Sequence, residues 1–480
     1  MLDLSKTVIE ELPSSIKHLT SLTSLTPRYC MNLVRLPSTI CSLRLLNSLD
    51  LFGCLKFDNL PENIGNIKGL EVLNLCWTAI KEVPSSIVLL KNLKQLNIHG
   101  WKLSDFYSQP ASLESMTPLQ TSSIFLPTSP PRKRLLPSFL FFSLPTSPVP
   151  MGLLLPTLLG LQSLTYFYLR DCDLSSIPND IGCFPSLECL NLSENNFVSL
   201  LKSMSQLSNL QILCLEGCKR LQSLENVLST IDSVIANDCI SLERMPKLQF
   251  YPLRSNHSHL NFQCPNCFKL VDYIQSGGNM FQVSLSLSLS LSLSLSLSLS
   301  LSLSLSSIRY VCIFQGLSGR LPDLLEIVIP GREIPKWFNH ECMGHELNIQ
   351  VPSGECDDVM EIALCAAFVP KKRLPRFSIC QLSRSLNGVQ MKHRVYSGFR
   401  TNYGIIESHH LWLLYYSNYT LNDGRISSEI DANGFCQLKI KIDSQSFEVK
   451  KIGVRLVYRQ DTEDPYQTEA LCINNSSMLL

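Results

Sequence analysis

The sequence predicts an α/β leucine-rich-repeat solenoid followed by an all-β sandwich, and three observations predict it. Leu22, Leu46, Leu70 and Leu93 recur at steps of 24, 24 and 23 residues. Pro13, Pro37, Pro61 and Pro84 keep the same steps, each one residue after an apolar position (Leu12, Leu36, Leu60, Val83). From about residue 320 that period gives way to short β-type runs punctuated by proline. Two markers holding one period of roughly 20–29 residues identify a leucine-rich repeat. Short strands separated by turn residues suggest a sandwich.

The unit is clearest at 70–93. Leu70, Leu73 and Leu75 form L-x-x-L-x-L, a short strand whose alternate side chains enter the core. Ile80 and Val83 continue that core, and Ile87, Leu90 and Leu93 lie on the return segment. Leu46-Leu49-Leu51 and Leu93-Leu96-Ile98 open the flanking units; Leu22-Leu25 opens an imperfect one with Pro27 at the second strand position. The series resumes with Leu164-Phe167-Leu169, Leu187-Leu190-Leu192 and Leu210-Leu213-Leu215. A short unit, Ile231-Val234-Ala236-Cys239-Leu242, is expected to close it. One unit cannot bury its apolar face alone, so the units must stack. Met1-Leu2-Asp3-Leu4 is already mid-repeat, which reads as the C-terminal part of something longer.

The expected organisation is repeats at 1–100 and 151–250, a Ser/Pro-rich insertion at 101–150, a cap and link at 251–283, and a sandwich at 320–465 with a tail at 466–480. Residues 284–306 alternate Ser and Leu without exception. A strand of that length far exceeds what globular sheets hold, so the tract reads as a low-complexity insertion of the kind a CT dinucleotide repeat encodes. Leu135 to Leu161 is apolar, but Pro137, Pro145, Pro148, Pro150 and Pro156 interrupt it, against the ~20 uninterrupted apolar residues of a membrane helix.

Over 480 residues the formal net charge is +1, with 17% charged residues, so no global field favours nucleic acid or anionic membrane. Nineteen cysteines invite a disulfide reading. Cys30, Cys54, Cys172, Cys218 and Cys239 instead occupy the Asn/Cys position of repeats. There a small side chain turns inward and satisfies loop backbone groups, so the thiols are expected buried and reduced. A reducing compartment follows, cytoplasmic with the nucleus as the alternative.

The run Ile327-Val328-Ile329-Pro330-Gly331-Arg332-Glu333-Ile334-Pro335-Lys336-Trp337-Phe338 resembles the opening of the post-LRR domain of plant intracellular immune receptors of the Toll/interleukin-receptor-type nucleotide-binding leucine-rich-repeat class. Residues 362–369, 410–413 and 449–458 are similar to later stretches of the same domain, in order. Asn266-Cys267-Phe268-Lys269-Leu270 resembles the family's end-of-repeat segment, and Leu12 to Ile16 its repeat units. The resemblance implies a C-JID domain of jelly-roll/Ig-like fold. It also implies a role in sensing a pathogen effector or another host protein, and in contacting the receptor's own nucleotide-binding domain. No G-x-x-x-x-G-K-[ST] loop occurs in the sequence, and no Toll-type module is recognised in it. The alternative is therefore that this chain belongs to an NAD-hydrolysing receptor whose catalytic domain lies outside it.

Chemistry within the chain has little support. Cys264 and Cys267 with His257 and His259 have ligand types that could bind zinc, but no second well-spaced pair accompanies them. Glu407, His409 and His410 could mimic a cupin-like metal site, yet His410-Leu411-Trp412-Leu413 reads as a structural strand. No G-x-S-x-G elbow is present. No enzyme activity, cofactor, metal, nucleic-acid or membrane partner is expected.

A concave binding face is easier to derive. Residues between the inward leucines line the exposed side of the repeat sheet. The expected ligand-binding set is Asp50, Phe52, Trp77, Gln95, His99, Tyr166, Tyr168, Arg170, Glu194 and Glu216, with Val72, Asn74, Asn97 and Asn191 on the same face. Tyr166 and Tyr168 alternate with Phe167 and Leu169 and are expected to point to solvent. Exposed aromatics and Arg are the residue types that carry interface energy. Trp337 and Phe338 are expected in the sandwich core.

Overall fold

The computed structural model describes residues 1–100, 158–224, 231–244, 259–270 and 324–334, and most of 338–458 apart from its longer loops. Ten short strands stack in chain order as a parallel sheet: β1 (Leu2–Asp3), β2 (Ser24–Thr26), β3 (Ser48–Asp50), β4 (Val72–Cys76), β5 (Gln95–His99), β6 (Tyr166–Arg170), β7 (Cys189–Asn191), β8 (Ile212–Cys214), β9 (Ser233–Ile235) and β10 (His259–Gln263). Strand β6 pairs directly with β5, Phe167 opposite Leu96, so the repeat resumes in register beyond residue 157. The insertion and the Ser-Leu tract fall outside the described residues.

Each coil follows from its own residues. Leu73, Leu75, Leu96, Phe167, Leu190 and Leu213 are fully buried along one face of the sheet. The apolar-proline pair then ends the loop: Leu12, Leu36 and Val83 are buried, and Pro13, Pro37 and Pro84 hold φ between −63° and −70°. That fixed dihedral starts a single 3-10 turn, closed by Ile16, Ile40 and Ile87 donating their N–H to the prolines' carbonyls at 3.0 Å. The described return segments are thus single 3-10 turns.

Ile231 to Leu242 does not close the stack. Strand β10 adds a further coil in register with β9, Phe262 opposite Val234. Its spacing hid it: the buried cysteines Cys218, Cys239 and Cys267 lie at irregular intervals along the sequence.

The repeat sheet runs on into the sandwich. Strand β11 (Leu324–Pro330) pairs parallel to β10. The sandwich also holds β12 (His340–Met343), β13 (Glu346–Pro352), β14 (Val359–Pro370), β15 (Phe377–Leu386), β16 (Val389–Gln390), β17 (Val395–Arg400), β18 (His410–Ser417), β19 (Phe435–Ser444) and β20 (Phe447–Tyr458). The long sheet continues from β11 through β18, β14 and β20 to β12, all antiparallel; the second sheet runs β13-β19-β15-β16, with β17 also on β15.

The two faces of β11 divide the core. Ile327 and Ile329 join the solenoid's own apolar spine together with Ile334, Phe338, Ala363, Cys365 and Leu411. Val328 points the other way, into the space between the two sandwich sheets, with Ile349, Leu364, Trp412 and Ile440. Phe338 is buried, but on the solenoid side of the long sheet and not between the two sandwich sheets, where it was expected; Trp337 lies outside the described residues. Val328 stands opposite Gln263, so the second sheet covers the side of the long sheet that is concave in the solenoid.

Candidate functional site

The concave face is built by the strand positions on either side of each central inward residue. Asp50, Gln95, Tyr166 and Tyr168 lie there with Val72, Asn74, Asn97 and Asn191, and all are half-buried. Pairing sets Gln95, Tyr166 and Cys189 on successive rungs, and Asn97, Tyr168 and Asn191 on the same rungs two residues along. The tyrosines do not project freely. Burial pushes the Tyr168 phenol well above its ordinary range, with the Cys189 thiol beside it, and Tyr166 is raised likewise beside Glu188.

Several concave polar groups have local work. Asp50 Oδ1 accepts the Phe52 N–H at 3.1 Å, Asn74 Oδ1 that of Cys76 at 3.1 Å, and Asn191 Oδ1 that of Ser193 at 2.9 Å. Such Asx bonds to the N–H two residues on close the turn that follows the strand. The signal for this role is an Asp or Asn directly after the second leucine of L-x-x-L-x-L, as in Leu49-Asp50, Leu73-Asn74 and Leu190-Asn191.

The structure corrects the placement of Phe52, Trp77, Arg170 and Glu216, which were expected to face solvent. Each is at most 7% exposed. After the last inward residue the chain turns through a left-handed residue: Tyr29, Gly53, Trp77, Asp171, Glu194, Gly217, Asp238 and Asn266 have φ between 49° and 74°. Strand neighbours are only ~4.8 Å apart, so side chains at these turns stack on one another. Tyr29, Phe52, Trp77 and His99 form one continuous pile with ring centroids 5.3, 5.4 and 6.1 Å apart. Trp77 Nε1 donates to His99 Nδ1 at 2.8 Å, and Arg28 covers the Phe52 ring. The pile then becomes ionic: Arg170 bonds Glu194 at 2.7 Å and lies 3.8 Å from Glu216. His99 and Glu194 remain half-buried.

These turns, left-handed in every coil but that of Gly100, also share one hydrogen-bond ladder. Lys6, Tyr29, Gly53, Trp77, Gly100, Asp171, Glu194, Gly217 and Asp238 each donate their N–H to a carbonyl of the next coil, over 2.7–3.3 Å. The tenth, Asn266, has the sandwich beyond it, and donates to His410 Nε2 at 3.0 Å. His410 is fully buried and its Nδ1 faces Ser408 O at 3.1 Å. This is a structural imidazole; Glu407 lies outside the described residues, as do His257 and the side chain of His259.

A second ladder runs inside. Cys30, Cys54, Cys218, Cys239 and Cys267 donate Sγ–H to carbonyls one coil back, over 2.9–3.3 Å, and Cys172 does so to Ile98 O at 3.6 Å. Asn195 takes the same place in its coil. Burial pushes the Cys54 and Cys172 thiols up to about 12 and raises Cys267, one of the two zinc candidates, in the same direction, which disfavours the thiolate that zinc needs. Cys264 occupies an inward leucine position, and no group of three metal-binding side chains occurs among the described residues.

Residues 329–463 match the family model of the C-JID domain. The chain carries a C-JID domain. Its sheet is the one that continues the solenoid, and Trp412 Nε1 donates to the buried Glu326 carboxylate across it at 2.8 Å. The chain is 32% identical over 322 residues to the disease resistance-like protein DSC1 of Arabidopsis thaliana, covering 60% of this chain and 24% of that one. It is 28% identical over 193 residues to the Arabidopsis disease resistance protein RPP2B, covering 40% and 14%. The chain thus spans about a quarter or less of these relatives. Among solved structures, InlJ of Listeria monocytogenes, described as including a cysteine ladder, is 14% identical with a TM-score of 0.33, covering 54% of this chain and 48% of that one. The repeat fold therefore rests on the rungs themselves. The C-JID match and the relatives support a C-terminal region of a plant disease resistance receptor. No helix among the described residues is long and apolar enough to cross a membrane.

Proposed function

We propose that this chain is the recognition region of an intracellular plant immune receptor, working in the cytoplasm or nucleus. It binds a pathogen protein, or another domain of the receptor such as its nucleotide-binding domain, through the concave repeat face and the C-JID domain. The supporting observation is the unbroken parallel run from β1 to β10, whose concave side chains, Cys189 apart, stay half-buried until the C-JID sheet covers that side. A rigid curved sheet with side chains in register presents many contacts without an ordering cost at binding. The disease resistance function named for the relatives supports the immune role.

Co-precipitation of the full chain with candidate effectors and with a nucleotide-binding domain tests the reading. The Tyr166→Ala/Tyr168→Ala variant is expected to lose most of the recovered partner. Recovery unchanged in that variant and in Gln95→Ala would remove the concave face from the site.

A further inference from the structure

The concave floor lacks charge over most of its length. From β4 to β10, the two positions flanking the central inward residue of each strand, Leu73 in β4 to Phe262 in β10, carry only amides, tyrosines, cysteines, aliphatics and one serine. Charge appears only at the ends. Asp50 lies on the preceding rung, held by the Phe52 N–H and Arg28. Glu326 lies on the following rung, inside the sandwich and bonded to Trp412.

Most of the charge on the two rims is taken up locally, Glu188 standing beside the Tyr166 phenol. Lys94 pairs with Glu71 at 2.9 Å on one rim, and Arg170 with Glu194 at 2.7 Å on the other. A charged side chain laid along the centre of the floor would lose water and find no charged floor residue to pair with, which is unfavourable.

The polar groups present suit a main chain. Asn191 uses Oδ1 for the Ser193 N–H, and Asn97 uses Oδ1 for Gln95 Nε2 at 3.2 Å. Both amides keep Nδ2 as a donor, and a donor on a half-buried sheet calls for an acceptor from outside. Peptide carbonyls supply acceptors at a regular spacing without charge.

We infer that the floor between β4 and β10 takes an extended polypeptide segment with uncharged side chains, whose carbonyls accept from Asn97 and Asn191. This rests on the reading that the concave face binds a protein, and names the chemistry of the partner segment.

A random-peptide phage library selected on the full chain tests it. Peptides that bind the wild type and are lost on Tyr168→Ala are expected to be uncharged, with affinities that stay constant between low and high salt. Asn97→Asp and Asn191→Asp keep the acceptor oxygen and shape but replace the donor with charge; each is expected to weaken such peptides about tenfold, with thermal unfolding near wild type. The rim variant Lys94→Met/Glu71→Gln is expected to bind as wild type. Selected peptides rich in Lys, Arg, Asp or Glu with salt-sensitive affinity would overturn the inference, as would indifference to both Asn→Asp changes. A selection that yields no peptide dependent on Tyr168 would overturn the concave-face reading itself.

Discussion

Asn266 gives its backbone N–H to His410 Nε2, 144 residues further along the chain. In every earlier described coil the equivalent N–H meets a carbonyl of the next coil. The imidazole therefore stands where an eleventh coil would place its peptide oxygen, and the sandwich completes the solenoid by copying one atom of a repeat. Phe268 and Phe368 lie against the ring, with centroids 6.3 and 6.0 Å away.

Removing that acceptor leaves a buried N–H unpaired and a ring-sized void. His410→Ala is expected to lower the unfolding free energy by about 2–4 kcal/mol, and His410→Gln, which can still accept, by less. Denaturant titration of the full chain checks the order; equal losses in both variants would show that the acceptor contributes nothing.

Burial pushes the His410 pKa down to about 4 from 6.5, with His409 acting in the same direction and the Ser408 carbonyl opposing it. The folded state thus holds the ring neutral while the unfolded state takes up a proton below pH 6.5. Stability from this group is complete above that value and falls as pH drops towards 4, by roughly 3 kcal/mol in all. The wild type is expected to lose stability over that window while His410→Gln loses less. Parallel slopes for the two would contradict the assignment.

Arg170 is 7% exposed beside the carboxylates of Glu194 and Glu216. Taking away one member of a buried ionic group costs about 3–5 kcal/mol because the remaining charges stay buried without a counter-ion. Arg170→Met is expected to lie in that range, and Arg170→Met/Glu216→Gln to recover part of the loss. Thermal unfolding of the single and double variants decides between this and a surface arginine, whose removal would be nearly silent.

Asn195 bridges two coils with five bonds, one of them from Nδ2 to Ser193 O at 3.3 Å. Its Nδ2 donates to Leu169 O at 2.7 Å and Leu192 O at 2.8 Å, while its Oδ1 accepts from the Cys172 and Leu174 N–H groups, both at 3.1 Å. Asn195→Ala is expected to cost about 3–5 kcal/mol, and Cys54→Ala, which removes one weak thiol donor, about 1 kcal/mol. Comparable midpoint shifts in urea would refute the ranking.

What the sequence determined by itself was everything that repeats or is local. A period held by Leu and Pro names the inward residues, and Leu73, Leu96, Phe167 and Leu190 are all fully buried. The cysteine column followed because each thiol needs only the loop one coil away. The C-JID domain was legible because its opening run is contiguous and matches the family over 329–463.

Only the tertiary structure decided the fate of residues at the ends of the strands or just past them. Phe52, Trp77, Arg170 and Glu216 follow the last inward residue by one or two positions, where strand alternation no longer sets direction. A left-handed turn then brings each against a neighbouring coil, burying side chains that were expected on the open concave face. The imidazole cap was hidden too: a contact spanning 144 residues leaves no trace in local spacing, because it exists only once the solenoid has brought its open end against the sandwich.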